Sequence, residues 1–375
     1  MSRICHFTSV HQAYDTRILL KECRSLAKAG NEVFLVAQHE CSERWNEVSI
    51  IGLQRKQKGR LSRALFFTWR VFFGALKTRA DVFHFHDPEL IPFGLLLRLF
   101  GKKVIFDVHE NISRQIKVKE YLPLRNFVAK LYGFVDWISA KAFFLVLAEN
   151  SYRSIYEPYT HKLETVLNMP DIQFLSPYKR SDRAVSGPVE LFYIGGITFE
   201  RGIETIVKAL LELQERQISV NFHCVGPYEQ AVMNRVKSIP SYDEIQNSIH
   251  FYGPERLDIA LQRAENCQIG LSILMPIENY LESYSTKIFE YMAIGLPVIT
   301  SDFPLYQDVV ERYQCGFCVD PSNHQELADR IMDLTKTPDL LAAMSANGIH
   351  AAETKFNWAE EEKKLYKVYA NLTES

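Results

Sequence analysis

Glu282-Ser-Tyr-Ser-Thr-Lys-Ile-Phe-Glu290-Tyr-Met-Ala-Ile-Gly295-Leu-Pro297-Val-Ile-Thr300 places a loop, a helix and a strand in one short stretch. Ser285 and Thr286 are N-cap residue types, and Gly295 followed by Pro297 is a helix stop, so the spacing predicts a helix over about 285–294. Ile288, Phe289, Tyr291, Met292, Ala293 and Ile294 make that helix apolar nearly all round, which is the composition of a buried one. Lys287 and Glu290 are therefore expected to face a cleft; the plain alternative is an exposed i,i+3 ion pair. Backbone amides around Ser285 and Thr286, at a helix N-terminus, suit an anion such as a diphosphate. Glu290 can accept the paired hydroxyls of a ribose, and Glu282 stands eight positions before it. The combination points to a nucleotide-sugar site.

Outward from this stretch, short apolar runs alternate with amphipathic helical ones. Strands are expected near 4–8, 33–37, 82–85, 104–108 and 144–148, then near 191–194, 220–225, 249–252, 269–273 and 298–300. This is the βαβ rhythm of doubly wound parallel sheets. Residues 176–188 interrupt it with a polar, proline-bounded segment that reads as a linker. The expected fold is α/β with two Rossmann-like domains. Residues 1–175 would form the N-terminal domain and 188–355 the C-terminal domain. A final segment, 356–375, is expected as a helix crossing back to the first. In such sheets ligands meet the loops at the strands' carboxyl ends.

A chain of 375 residues exceeds one ordinary core, which agrees with two domains. The net charge of −2 names no partner, but its distribution is uneven. Residues 1–170 carry 25 Lys/Arg against 16 Asp/Glu, roughly +9, which leaves roughly −11 for the rest. Seven scattered cysteines fit free thiols in a reducing, cytoplasmic compartment. Cys315-Gly-Phe-Cys318 has no second pair and reads as a buried strand rather than a metal or redox motif. No signal-peptide pattern opens the sequence, and no apolar run reaches the length of a membrane span.

Strand 191–194 leads into Gly195-Gly196-Ile-Thr-Phe-Glu-Arg201-Gly202. Glycines there allow close backbone approach to a ligand, and Arg201 can pair with phosphate oxygens. No Gly-x-Gly-x-x-Gly follows the first strand and no Walker motif is present, which disfavours a dinucleotide dehydrogenase or P-loop enzyme. In the first half, His109 stands at the carboxyl end of strand 104–108. His11, Asp15 and Arg17 flank the first strand–helix loop. His84 and His86 share a strand face, yet no third ligand follows at zinc-type spacing, so neither metal nor cofactor is expected.

With these residues in place, the chain resembles the retaining nucleotide-sugar glycosyltransferases of glycosyltransferase family 4, which have the GT-B fold. The resemblance spans nearly the whole chain. Glu282 and Glu290 match that family's Glu-x7-Glu motif. Thr286-Lys-Ile-Phe-Glu-Tyr-Met-Ala-Ile-Gly-Leu-Pro and the opening His11-Gln-Ala-Tyr-Asp15-Thr-Arg17 are similar to its bacterial capsule, exopolysaccharide and O-antigen members. The resemblance implies that Glu290 holds the ribose, that Glu282 lies near the donor sugar and that Ser285 and Thr286 amides meet the diphosphate. Gly253-Pro254 would lie by the base, His109 would act at the donor sugar, and His11, Asp15 and Arg17 would lie on the acceptor side. One departure stands out. The family usually has Gly-Arg and, five residues on, Lys-Gly; here those cation positions hold Gly196 and Arg201. Lys287 is expected to join Arg201 in the missing cation's place.

The expected partners are a nucleoside diphosphate sugar, with a UDP-sugar favoured, and a polyprenyl-linked saccharide acceptor. Residues 55–79 carry eight Lys/Arg and no acidic residue, interleaved with Phe66, Phe67, Trp69, Phe72 and Phe73. Such a basic aromatic segment can lie on the anionic inner face of a cytoplasmic membrane, or it can simply cover a sheet. Nucleic acid is disfavoured beside the donor motif. Two other functions compete: a GT-B nucleotide-sugar epimerase, and a degenerate glycosyltransferase subunit that acts as a partner.

Overall fold

The strands that organise this protein are apolar on both faces, and that dictates helices on both sides of parallel sheets. The computed structural model describes residues 1–55, 59, 63–109 and 125–374. They divide into two units: residues 1–168 with 358–375, and residues 169–357.

The sheet of unit 1 contains β1 (Arg3–Gln12), β2 (Glu32–Gln38), β3 (Glu43–Trp45), β4 (Val48–Leu53), β5 (Val82–Phe85), β6 (Lys103–Val108), β7 (Phe144–Leu147) and β8 (Leu163–Thr165). Their order is β3-β4-β2-β1-β5-β6-β7-β8, and every pairing is parallel except β3 with β4. Alternation along the strands sends Phe7, Phe83, Phe85 and Phe106 to one face, where Phe72, Phe93 and Phe143 meet them. Ile4, Val33, Leu35, Val82 and Ile105 line the opposite face. The helix Trp358–Glu374 lies on that second face. Its Leu365, Val368 and Tyr369 enter the core, Trp358 Nε1 donates to Ser25 Oγ at 2.8 Å, and Glu361 Oε2 accepts from Leu167 N–H at 2.8 Å.

Unit 2 has β9 (Val189–Ile194), β10 (Val220–Val225), β11 (Ile249–Gly253), β12 (Ile269–Ser272), β13 (Val298–Ser301) and β14 (Gly316–Val319) in the order β11-β10-β9-β12-β13-β14, all parallel. In both sheets the order reverses direction at the first strand of the unit, between β1 and β5 and between β9 and β12. The carboxyl ends flanking such a reversal are where a crevice opens.

The segment expected as a free linker is anchored to unit 2. Arg183 is buried and donates to the carbonyls of Ala264 (3.0 Å), Ile294 (2.7 Å) and Cys267. Three buried carbonyls need donors, and one guanidinium supplies them. The unit boundary accordingly falls after Asn168, ahead of the expected position at 175. Gly295 ends the 286–294 helix at φ 78°, and a Cβ there would stand 2.1 Å from Arg180 O, so the anchored segment also demands a glycine at that stop.

Candidate donor and acceptor sites

The carboxyl end of β9 opens onto the N-terminus of the helix Thr286–Ile294. Ser285 is extended at the N-cap, but its side chain does not cap the helix; its hydroxyl bonds Ser272 Oγ at 3.0 Å instead. The first turn thus keeps its dipole end open to a ligand. Gly195 sits at φ 136°, a conformation that favours glycine, and a methyl group there would stand 3.1 Å from both Arg201 Nη1 and Lys287 Nζ. Arg201 Nη1 and Lys287 Nζ thus converge on the same spot beside Gly195. Lys287 is buried, its Nζ lies 4.0 Å from the centre of the Tyr193 ring, and it donates to no acceptor among the described residues. Burial, then the neighbouring Arg201 charge, lower its pKa to about 7. For Arg201 burial acts in the same direction, but hydrogen bonds to the Tyr280 and Tyr193 hydroxyls outweigh it and the net shift is upward.

Glu290 is half-buried one turn beyond Lys287 and acts on its charge; Glu282, also half-buried, ends the short helix Glu278–Leu281. Gly253 closes β11 at φ 75°, and its carbonyl accepts from Gly226 N–H at 2.8 Å. A Cβ on Gly226 would stand 1.9 Å from Gly195 O. Glycines at 195, 226 and 253 therefore let three strand ends close up beside Pro254. Gly226-Pro227 was open to the same reading as Gly253-Pro254. Tyr193 and Tyr280, which seat the two cations, carry no motif and look like core residues.

In unit 1 the candidate residues converge at the carboxyl ends of β1, β5 and β6. His109 Nε2 lies 2.7 Å from Asp107 Oδ2, and the His11 and His109 rings are 5.3 Å apart. His11 Nδ1 lies 3.0 Å from Asp15 Oδ2. Burial lowers the His11 pKa, but the Asp15 bond and the Asp87, Asp15 and Asp107 charges prevail and raise it. Asp15 Oδ1 accepts from Arg17 N–H and Ile18 N–H, both at 2.9 Å, where a π-type turn, Ile18–Cys23, begins. That wide turn rotates Arg17 inward. Arg17 is not on the acceptor side: it is buried and bidentate on Asp107, with Nε to Oδ2 at 3.0 Å and Nη2 to Oδ1 at 2.9 Å.

Behind this pair the fold supplies partners for His84 and His86 that spacing does not reveal. Ligand-type atoms of Glu22, His84, His86 and Asp107 lie within 4.8 Å of one another. The cation among them is the Arg17 guanidinium. Burial favours holding Asp107 protonated, but Arg17 and His109 keep it ionised. Burial and the Asp107 charge raise the Glu22 pKa, so Glu22 keeps its proton. Arg17 Nε lies 3.0 Å from Glu22 Oε1 but aims its N–H at Asp107. Burial likewise holds His6 and His84 neutral. Within the cluster of Glu22, His84, His86 and Asp107, the charges thus reduce to the Arg17–Asp107 ion pair.

Residues 177–351 match the family model "Glycosyl transferases group 1", and residues 16–143 match "Glycosyltransferase Family 4". An uncharacterized glycosyltransferase of Methanocaldococcus jannaschii, MJ1069, is 22% identical over 81% of this chain and 78% of its own length. The putative colanic acid biosynthesis glycosyltransferase WcaL of Salmonella typhimurium is 19% identical over 42% of this chain and 38% of its own. The structure of Anabaena HepE in complex with UDP-glucose superposes with a TM-score of 0.73 at 14% identity, covering 99% of this chain and 100% of that one. The chain is a glycosyltransferase of the GT-B fold.

Elsewhere in this glycosyltransferase, the helix Thr68–Lys77 turns Val71, Phe72 and Ala75 into the core and leaves Trp69 and Phe73 about half exposed, next to Phe66. Both uses expected of segment 55–79 are thus open to it, although Lys56, Lys58, Arg60 and Leu61 lie outside the described residues. Among the described residues no helix is long and apolar enough to cross a membrane. Cys315 is buried and Cys318 half-buried, and burial pushes the Cys315 thiol up to about 12, which leaves no reactive thiolate.

Proposed function

We propose that this glycosyltransferase binds a nucleoside diphosphate sugar in unit 2, with a UDP-sugar favoured, and transfers the sugar with retention. The acceptor is a hydroxyl of a polyprenyl-linked saccharide in bacterial surface-polysaccharide synthesis. The observation that carries this reading is the meeting of Lys287 and Arg201 at an uncapped helix N-terminus. Two cations and a helix dipole match a departing diphosphate, whose charge must be stabilised in the transition state. They supply positive charge that a divalent ion would otherwise bring, so no metal is required. Glu290 takes the ribose hydroxyls, Glu282 lies by the donor sugar, and Gly253 and Pro254 lie by the base. That HepE holds UDP-glucose favours uridine, and the WcaL likeness favours polysaccharide synthesis.

Chemically, the weakening bond joins the anomeric carbon to the diphosphate oxygen. Negative charge grows on that oxygen as the acceptor hydroxyl attacks from the same face, and the leaving phosphate takes the hydroxyl's proton. His109 accepts a hydrogen bond from a donor-sugar hydroxyl at Nδ1, the ring nitrogen that Asp107 leaves free. Ionised Asp107 accepts from His109 Nε2–H and so fixes the ring's tautomer. Trp69, Phe73, Arg70 and their neighbours rest on the inner face of the cytoplasmic membrane, where the acceptor lies.

A thermal-shift panel of UDP-, GDP- and dTDP-sugars tests the donor assignment, since a ligand bound at a hundred times its Kd stabilises by about 2.7 kcal/mol. Stabilisation by none of them would overturn it. Activity that disappears in EDTA would overturn metal independence, and an inverted anomeric centre in the product would overturn retention.

A further inference from the structure

Lys287 faces groups from each element packed around its amine. Tyr193 of β9 offers its ring, Arg201 follows β9, Cys224 comes from β10, and Glu290 lies one turn along the same helix. Burial keeps the Tyr193 hydroxyl and the Cys224 thiol protonated. Arg201 is charged. The amine thus sits out of water beside a fixed cation, and among the described residues its compensation comes from an aromatic face and the Glu290 carboxylate. Among the described residues nothing accepts a hydrogen bond from Nζ. A buried ammonium without a hydrogen-bonded anion is a costly state, and a lysine escapes it by releasing its proton. An entering diphosphate reverses that balance by placing oxygens beside the amine.

We infer that the donor binds together with a proton: the Lys287 amine is largely neutral in the free protein above neutral pH and becomes an ammonium when a nucleoside diphosphate occupies the site. The Nζ lone pair takes the proton from solvent or buffer, and the resulting N–H groups donate to the phosphate oxygens. This rests on the donor site proposed above. The depressed pKa agrees with it. The sign follows. Binding raises the Lys287 pKa, so donor affinity is full below the free protein's value near 7 and falls as pH rises past it.

Calorimetric titration of UDP-glucose into the full chain, in buffers of different ionisation enthalpy, reads the uptake directly. Both phosphates of UDP-glucose are esterified, so the ligand itself does not titrate in this range. About one proton should be taken up per donor bound at pH 8 and about a tenth of one at pH 6, with affinity about tenfold weaker at the higher pH. Lys287→Arg, whose cation never titrates, should bind with uptake near zero at both values, and Lys287→Met should bind weakly without uptake. Binding at pH 8 with no proton uptake, or the same uptake in Lys287→Met as in the native chain, overturns the inference and leaves the donor site standing. No binding of UDP-, GDP- or dTDP-glucose at either pH overturns the donor site itself.

Discussion

The two candidate sites handle buried charge in opposite ways. In unit 1, Asp107 and Arg17 pair inside the core, Glu22 keeps its proton, and His109 leans on the carboxylate that this arrangement fixes. The site is electrically complete before any ligand arrives. In unit 2, Arg201 and Lys287 share one corner, and among the described residues no carboxylate is hydrogen-bonded to Lys287 Nζ. Under the proposed function, the first half orients and the second captures charge. The difference also predicts that removing a cation has opposite consequences in the two units.

The largest effect belongs to Arg17. Arg17→Ala strands Asp107 as an uncompensated buried charge, which costs about 3–5 kcal/mol. A fall of about 10 °C in the melting temperature of unit 1 should follow. Unchanged melting would show that the pair does not hold the core. Lys287 should behave the other way. Lys287→Met removes a buried amine that lacks a hydrogen-bond partner, so the free protein should melt no lower than the native chain and bind donor less well. The pH dependence separates the two further. The folded pKa near 7 lies below the ordinary 10.5. Between those values the unfolded chain holds a proton that the native one does not, so native stability rises with pH by up to about 1.4 kcal/mol per unit. That slope should be absent from the Lys287→Met chain in denaturant titrations at pH 7, 8 and 9. An identical slope in both chains would contradict the buried neutral amine.

Glu290 tests the donor half at a smaller scale. A hydrogen bond to a charged group contributes about 1.5–3 kcal/mol, so Glu290→Ala should weaken donor binding by about ten- to a hundredfold. Its melting temperature should change little, because the side chain is half-buried. Unaltered donor affinity would remove Glu290 from the ribose.

The same contrast explains what the sequence makes legible. Buried parallel strands announce themselves as continuous apolar runs, and β5, β6, β9, β10 and β13 stand where such runs predict them. Val48–Leu53 is broken by Ser49 and Gly52, and Leu163–Thr165 is a three-residue edge strand, so neither carries that signal. Pairing across sequence is invisible too. Arg17 stands beside His11 and Asp15 in the chain, yet a π-type turn sends it into the core, and its partner lies 90 positions away. The Lys287–Arg201 corner was more legible because both cations stand in short stretches that the sequence already singled out. Tyr193 escaped notice because its value lies in what it touches, the Lys287 amine and Gly196 O. The polar segment 176–188 looked free because sequence shows its prolines and charges but not the three carbonyls waiting for Arg183.

The smallest effect belongs to the exposed face of the helix Thr68–Lys77, whose opposite face is core. Phe72 is 4% exposed and Phe73 is 53% exposed, so adjacent phenylalanines have different work. Phe72→Ala should cost about 3–5 kcal/mol through the cavity it leaves. Phe73→Ala with Trp69→Ala should cost less than that, the larger share coming from Trp69, whose ring stands edge-on to Phe93 at 4.9 Å. If this face rests on an anionic bilayer, the double substitution should lower co-sedimentation with phosphatidylserine vesicles. Neutral vesicles should bind poorly, and binding should fade as salt shortens the screening length to below about 10 Å. Equal binding by both chains at low salt would show that Trp69 and Phe73 do not touch the bilayer and would confine this helix to its core-covering role.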